Sequence, residues 1–302
     1  MPSWNEVLKE IEDSKRLDGL DFVRRLYLKK LHTMRERNII CYYSGWLQKP
    51  GLGGVEIDDN DKNAFMAAVH QLDKSKGLDL ILHTPGGQVA ATESLVDYLR
   101  QIFKDNIVAF IPQIAMSAGT MIACSAKTIF MGRQSNLGPI DPQFNGIPAF
   151  GVIEEFNQAV AEIKADPAKI PLWQIIIGKY HPTFIGECQN SINWSQQIVT
   201  QWLESGMFLN ESNAKQRSSD AVGHLTNRAN MKTHSRHLSA ATCKSYGLNI
   251  SDLETDNELQ DLILTVHHCF MHAFANSNAI KIVENHLGVA TINHAQILQK
   301  PK

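Results

Sequence analysis

Nowhere does this sequence hold the roughly 20 consecutive apolar residues with which a helix spans a bilayer. Residues 1–30 alternate charged and apolar side chains and lack the unbroken apolar core of a secretory signal, so a cytoplasmic protein is expected. Cysteine is sparse: Cys41, Cys124, Cys188, Cys243 and Cys269 are scattered, odd in number and form no C-x-x-C pair, so reduced thiols are expected. Neither sign of charge prevails, since 29 basic and 31 acidic residues leave a formal net charge of -2. That balance gives no electrostatic reason for nucleic acid or an anionic membrane to be the main partner. Internal repeats and low-complexity tracts are missing as well.

What is present suffices for a sizeable core: 43% of the 302 residues are hydrophobic, enough for one large α/β domain or a domain with an appended helical part. Two short stretches stand out. Thr84-Pro85-Gly86-Gly87 follows the largely apolar run 78–82, and Ala115-Met116-Ser117-Ala118-Gly119-Thr120 follows the stretch 107–114. Each ends a predicted buried strand and opens into a helical pattern, 89–103 in one case and 120–126 in the other. A strand-to-helix turn exposes unpaired backbone N–H groups, and glycine lets a substrate approach them. Of the two turns, the second carries a nucleophile, Ser117. The pattern points to acyl transfer, with Ser117 attacking and both turns forming an oxyanion hole.

The rest of the chain gives these turns a context. Residues 5–37 read as one or two amphipathic helices, whose basic run Arg24, Arg25, Lys29, Lys30, Arg35 and Arg37 is expected to be a solvated face. Strands at 38–47, from Gly77, at 107–114 and at 128–132 alternate with helices at 64–72, 89–103 and 120–126. That order predicts a parallel sheet with right-handed crossovers, and it places both turns beyond the carboxyl ends of strands, where α/β sites gather. Asp58-Asp59-Asn60-Asp61 precedes the first of these helices, where acids complement the dipole; the glycine and distal glutamate of an EF-hand loop are missing. Further helices are expected at 151–164, 171–180, 190–207 and within 210–228. A capped helix at 239–247, an edge strand at 248–250, a helix at 256–275 and a tail strand around 281–292 complete the chain.

Among other candidates, Asp141 lies in the proline-rich loop 135–143, where it reads equally as an Asp-Pro turn initiator. His83 is expected to be a strand-end side chain beside the first turn, with contact to substrate as the alternative. His234 and His237, or His267, His268 and His272, have spacings that metal sites use, but no third ligand is placed, and no metal is expected.

Four ordered blocks, Thr84-Pro85-Gly86-Gly87, Ala115-Met116-Ser117-Ala118-Gly119-Thr120, Gly138-Pro139-Ile140-Asp141-Pro142-Gln143 and the segment 238–248, together resemble the Clp-fold serine peptidases. Within them the chain is most similar to the serine dehydrogenase proteinase family, from about residue 42 to the end, including Lys281-Ile282-Val283-Glu284-Asn285-His286. The resemblance implies a Clp/crotonase-like spiral of β-β-α units with a mostly parallel sheet, added helices at the N-terminus and in the C-terminal half, and assembly as a homo-oligomer, trimeric or hexameric. It implies Ser117 as the nucleophile, and N–H groups of Gly86 or Gly87 and of Ala118 as oxyanion donors. The base departs from the Clp order: Asp141 stands where that family has its histidine, and His234 near where it has its aspartate. A triad is defined by geometry rather than chain order, so Ser117, His234 and Asp141 remain a candidate set. A Ser–Lys dyad is the competing arrangement, with Lys164 or Lys169 as base, while Lys127 and Lys281 are expected to be structural or exposed.

The expectation is therefore a serine peptidase acting on peptide or protein substrates without a cofactor, built from an N-terminal helical extension, 1–37, and a peptidase-like domain, 38–302, with a helical insertion at about 151–232. Two alternatives stay open: a crotonase-like acyl-CoA enzyme using the same turns to hold a thioester enolate, and a catalytically inactive oligomeric scaffold or partner-binding protein.

Overall fold

Helical periodicity at the start of the chain produces α1 (Trp4–Asp13) and α2 (Gly19–Arg35) in the computed structural model, in which residues 4–144, 146–226 and 235–295 are described. Then come β1 (Asn38–Ser44), α3 (Asn60–Val69), β2 (Leu78–His83), α4 (Val89–Phe103), β3 (Ile107–Ile111), β4 (Ile114–Ala115), α5 (Ala118–Cys124) and β5 (Thr128–Met131). The short strands β6 (Asn136–Leu137), β7 (Gln143–Phe144) and β8 (Ile147–Pro148) lead into α6 (Ala149–Ala165), α7 (Ile170–Ile177), α8 (Phe184–Glu204) and α9 (Ala214–Thr226). The chain closes with β9 (Leu238–Ser239), α10 (Ala240–Ser245), β10 (Ile250–Asp252), α11 (Asn257–Asn276), β11 (Ala279–Asn285) and β12 (Ala290–His294).

Seven strands form the central sheet in the order β10-β5-β3-β2-β1-β11-β12. From β10 to β1 every pairing is parallel, as strand–helix alternation predicts. β1, β2 and β3 are buried along their whole lengths because helices cover both faces. The alternation of side chains divides the core: Ile40, Tyr42, Leu80 and Leu82 meet Phe65 of α3, Leu95 of α4 and Met121 of α5. Ile39, Cys41, Tyr43 and Ile81 meet Leu28 of α2 and Ile263, Val266 and Phe270 of α11. Ala149, Val152, Phe184, Cys188 and Ile192 of α6 and α8 make a small core of their own, whereas Ile198, Val199, Trp202 and Leu203, later in α8, join the main one. Among the described residues no helix is long and apolar enough to cross a membrane, and all five cysteines are buried free thiols.

Two expectations need correction. The tail is a hairpin rather than one strand: β11 runs antiparallel to β1, and β12 pairs back onto it. The Asn285 side chain makes the reversal by accepting the N–H groups of Leu287 and Val289, at 2.9 and 3.1 Å, and Gly288 takes φ +83. The basic run of α2 is only partly a solvated face. Lys29 and Lys30 are exposed, but Arg24 is fully buried and paired with Glu284 and Asp21, Arg25 also reaches Glu284, and Arg35 and Arg37 hold Asp79. These charges face strands β11 and β2, so they pin α2 to the sheet. Of the two roles expected for Lys281, structural or exposed, it takes the structural one: its side chain is 1% accessible and paired with Asp61.

Candidate active site

The two turns are joined at their roots. Where β2 ends, the Thr84 N–H donates to the Ile114 carbonyl (3.2 Å) and the Thr84 carbonyl accepts from the Met116 N–H (3.0 Å), a parallel bridge to Ala115. Beyond it Gly86 adopts φ +101 and lies so close to the second turn that a Cβ there would be 2.8 Å from the Met116 carbonyl oxygen, 2.9 Å from Ser117 Cβ and 3.2 Å from the Ala118 nitrogen. Only glycine fits both the backbone conformation and the space. Gly87 is crowded from the other side, where a Cβ would be 2.3 Å from the backbone nitrogen and oxygen of Ile57.

Ile57 fixes how the first turn faces. Its N–H donates to the Gly86 carbonyl (2.8 Å) and its carbonyl accepts from the Gln88 N–H (2.9 Å), the pattern of a parallel bridge centred on Gly87. In such a bridge the central residue's own N–H and carbonyl point away from the partner strand. The Gly87 N–H therefore faces away from Ile57, while the Gly86 N–H donates to Thr84 Oγ1 (3.2 Å).

Ser117 caps the N-terminus of α5 with φ 50 and ψ -113, and its side chain makes no capping bond. A capping serine is ordinarily extended and closes onto the helix N–H groups. A non-glycine residue in this region stores about 1–3 kcal/mol of strain, a feature that clusters at functional sites. The next residue, Ala118, is the first of the helix, where the N–H has no acceptor within the helix. Thr120 Oγ1 lies 3.0 Å from the Ala115 carbonyl and 2.9 Å from the Gly138 carbonyl and accepts from the Gly138 N–H (3.0 Å), tying the proline-rich loop to the serine turn.

These elements enclose a cleft of about 430 Å³. Ser117, Gly86 and Gly87 line it together with Asp141, Gln143 and Phe144 and with Ser191, Trp194 and Ser195 of α8. Glu56 also lines it, so two carboxylates and no cation face the cleft among the described residues.

The candidates for the base and its partner differ in where they lie. Asp141 shares the cleft with Ser117, and His234 lies outside the described residues. Lys164 is exposed on α6, Lys169 pairs with Glu162 at 3.2 Å, and neither lines the cleft. His83 does not reach it: strand alternation sends the side chain to the α11 face, fully buried against Tyr43, Trp46 and His267. Burial there holds His83 well below the ordinary histidine range and brings His267 down to about 3. No group of three His, Cys, Asp or Glu side chains suited to a metal occurs among the described residues. The contributions that the sequence reading missed are Ile57 and the α8 wall. For α8 a signal existed, since Ser191, Trp194 and Ser195 are spaced i, i+3, i+4 and so share one helix face.

A model of the family described as ClpP-like SDH-type serine proteinase matches residues 15–263. The chain is 32% identical over 160 residues to the uncharacterized protein MJ0137 of Methanocaldococcus jannaschii, covering 52% of this chain and 55% of that one. It is 33% identical over 102 residues to the uncharacterized protein MJ1495 of the same organism, 34% of each chain. The matches thus span about half of the first relative and about a third of the second.

Proposed function

Because the chain belongs to the ClpP-like SDH-type serine proteinase family, we propose that it hydrolyses peptide bonds through an acyl-enzyme on Ser117. The observation that carries this reading is the conformation of Ser117, held at positive φ against Gly86 and opening into the cleft without capping its own helix. In the proposed mechanism Ser117 Oγ attacks the scissile carbonyl carbon and its proton passes to His234, which Asp141 orients. The N–H groups of Gly87 and Ala118 receive the oxyanion; Gly87 is preferred to Gly86, whose N–H is already engaged by Thr84. Each such donor is worth about 2.7–4 kcal/mol at the transition state. Collapse of the tetrahedral intermediate breaks the C–N bond, and the imidazolium returns its proton to the leaving amine. Water, deprotonated by the same histidine, then attacks the acyl carbon and releases the acid and free Ser117.

The substrate is an extended peptide laid between the Gly86–Gly87 turn and the α8 wall, and the working particle is a homo-oligomer. The test is incubation with an unfolded protein and mass-spectrometric detection of new termini. Cleavage by the wild type and none by Ser117→Ala supports the reading; equal cleavage by both would remove Ser117 from the chemistry. His234→Ala and Asp141→Asn, measured beside it, test the base: a large loss for the first and a smaller one for the second are expected.

A further inference from the structure

The segment 55–58, which lies across the first turn, is held by its backbone at successive residues. The Val55 carbonyl accepts from Ser44 Oγ (2.6 Å), and the Glu56 carbonyl accepts from Lys281 Nζ (2.6 Å). Ile57 makes the two bonds to the Gly86 carbonyl and the Gln88 N–H, and the Asp58 N–H donates to Asp61 Oδ2 (3.0 Å). Ser44 and Lys281 are direct partners in the β1–β11 register, so one cross-strand pair of side chains carries two consecutive carbonyls.

Lys281 is an unusual choice for that task. Its side chain is 1% exposed, and its ammonium sits 2.9 and 3.1 Å from the two oxygens of Asp61, itself 2% exposed, and 3.4 Å from Asp58 Oδ2. Tyr42 donates its hydroxyl to Asp61 as well (2.9 Å). Lysine and aspartate are almost never fully buried unless paired, and a buried pair is often no more stable than the apolar residues that would fill the same space. Stability alone therefore does not account for the pair. What an apolar pair cannot do is donate a hydrogen bond to the Glu56 carbonyl.

We propose that Lys281 is a positioning residue for the oxyanion hole: locked by Asp61, it fixes the Glu56 carbonyl, which fixes Ile57, which sets the direction of the Gly87 N–H. The inference rests on the peptidase reading for its consequence in rate, and on the backbone geometry alone for its consequence in order. Two variants separate positioning from mere stability. Lys281→Met leaves Asp61 buried without its cation and is expected to lose stability. K281M/D61N removes both charges while keeping an amide oxygen for Tyr42 and Asp58; stability is expected to recover while the rate of labelling by a fluorophosphonate stays about tenfold below wild type, a fraction of the loss for a whole donor.

Recovery of the labelling rate together with stability in the double variant would overturn the proposal. Hydrogen exchange at the Ile57 and Gln88 amides provides the readout that needs no activity: faster exchange in the folded double variant supports positioning, and exchange at the wild-type rate overturns it. If the wild type is not labelled at all, the peptidase reading fails, and the exchange result still decides the role of Lys281 in ordering the turn.

Discussion

Replacing Gly86 with alanine puts one methyl group where the two turns meet. Built on the existing backbone, its carbon lies 2.8 Å from the Met116 carbonyl oxygen, 2.9 Å from Ser117 Cβ and 3.2 Å from the Ala118 nitrogen, and none of these is the free end of a flexible side chain. The backbone around Ser117 must therefore move. The φ of +101 adds the strain of a region that L-residues avoid. Overpacking of this kind costs about 1–3 kcal/mol, within the usual stability of a domain, so the variant is expected to fold. The chemistry is affected more. Displacing Ala118 or turning Gly87 forfeits one oxyanion donor, about 2.7–4 kcal/mol or about 10²–10³ in rate. The assay is the second-order rate of fluorophosphonate labelling, run with urea denaturation of the same samples. Gly51→Ala is the control, because Gly51 has φ +80 with nothing within 4 Å of its would-be Cβ. It carries the backbone strain without the contacts and should lose some stability and no labelling rate. Labelling of folded Gly86→Ala at the wild-type rate would refute the assignment of these turns to an oxyanion hole.

Other outcomes follow from the same structure. Arg24→Met leaves Glu284 buried with only the half-exposed Arg25 beside it and should cost about 3–5 kcal/mol, read as a lowered urea midpoint; a change below about 1 kcal/mol would show that the pair does not anchor α2. Acid should unfold the protein progressively. Burial, with a neighbouring histidine, depresses His267 to about 3 and His286 to about 4, below the unfolded value near 6.5. The unfolded chain then binds more protons, so this stability is complete above about pH 6.5 and is lost as pH falls toward 3. His267 alone should contribute about 1.4 kcal/mol per pH unit in that window, a slope that His267→Phe should reduce and whose persistence would contradict the neutral buried histidine. Lys164→Ala and Lys169→Ala should label at the wild-type rate, since neither side chain lines the cleft; a loss of about a hundredfold in either would restore the lysine base.

The sheet and the serine turn were legible in the sequence because their signals are local. Buried strand β3 is a continuous apolar run and β2 is one but for Asp79 and His83, Gly86 and Gly87 mark a backbone approach that a side chain would block, and helices α4 and α11 follow their periodicity to within a residue or two. What escaped depends on partners distant in sequence. Nothing around Arg24 announces Glu284, so it reads as part of a solvated face, and nothing around Lys281 announces Asp61, so its structural role has no named partner until the fold brings the carboxylates to them. Ile57 carried no motif because it acts through its backbone. His83 ends β2 as expected, and the alternative of substrate contact fails for a simple reason: one step of strand alternation separates the cleft face from the α11 face. The α8 wall was hidden by the length of chain between Ser117 and Trp194, although the face that reaches the cleft has helical spacing.

The central claim is that Ser117 is an activated nucleophile, and the most direct measurement is intact-mass analysis after fluorophosphonate treatment, followed by peptide mapping of the adduct. One phosphonyl group per chain is expected, located on Ser117 and lost in Ser117→Ala. An unmodified wild-type chain that remains folded, or an adduct mapped to another residue, would contradict it.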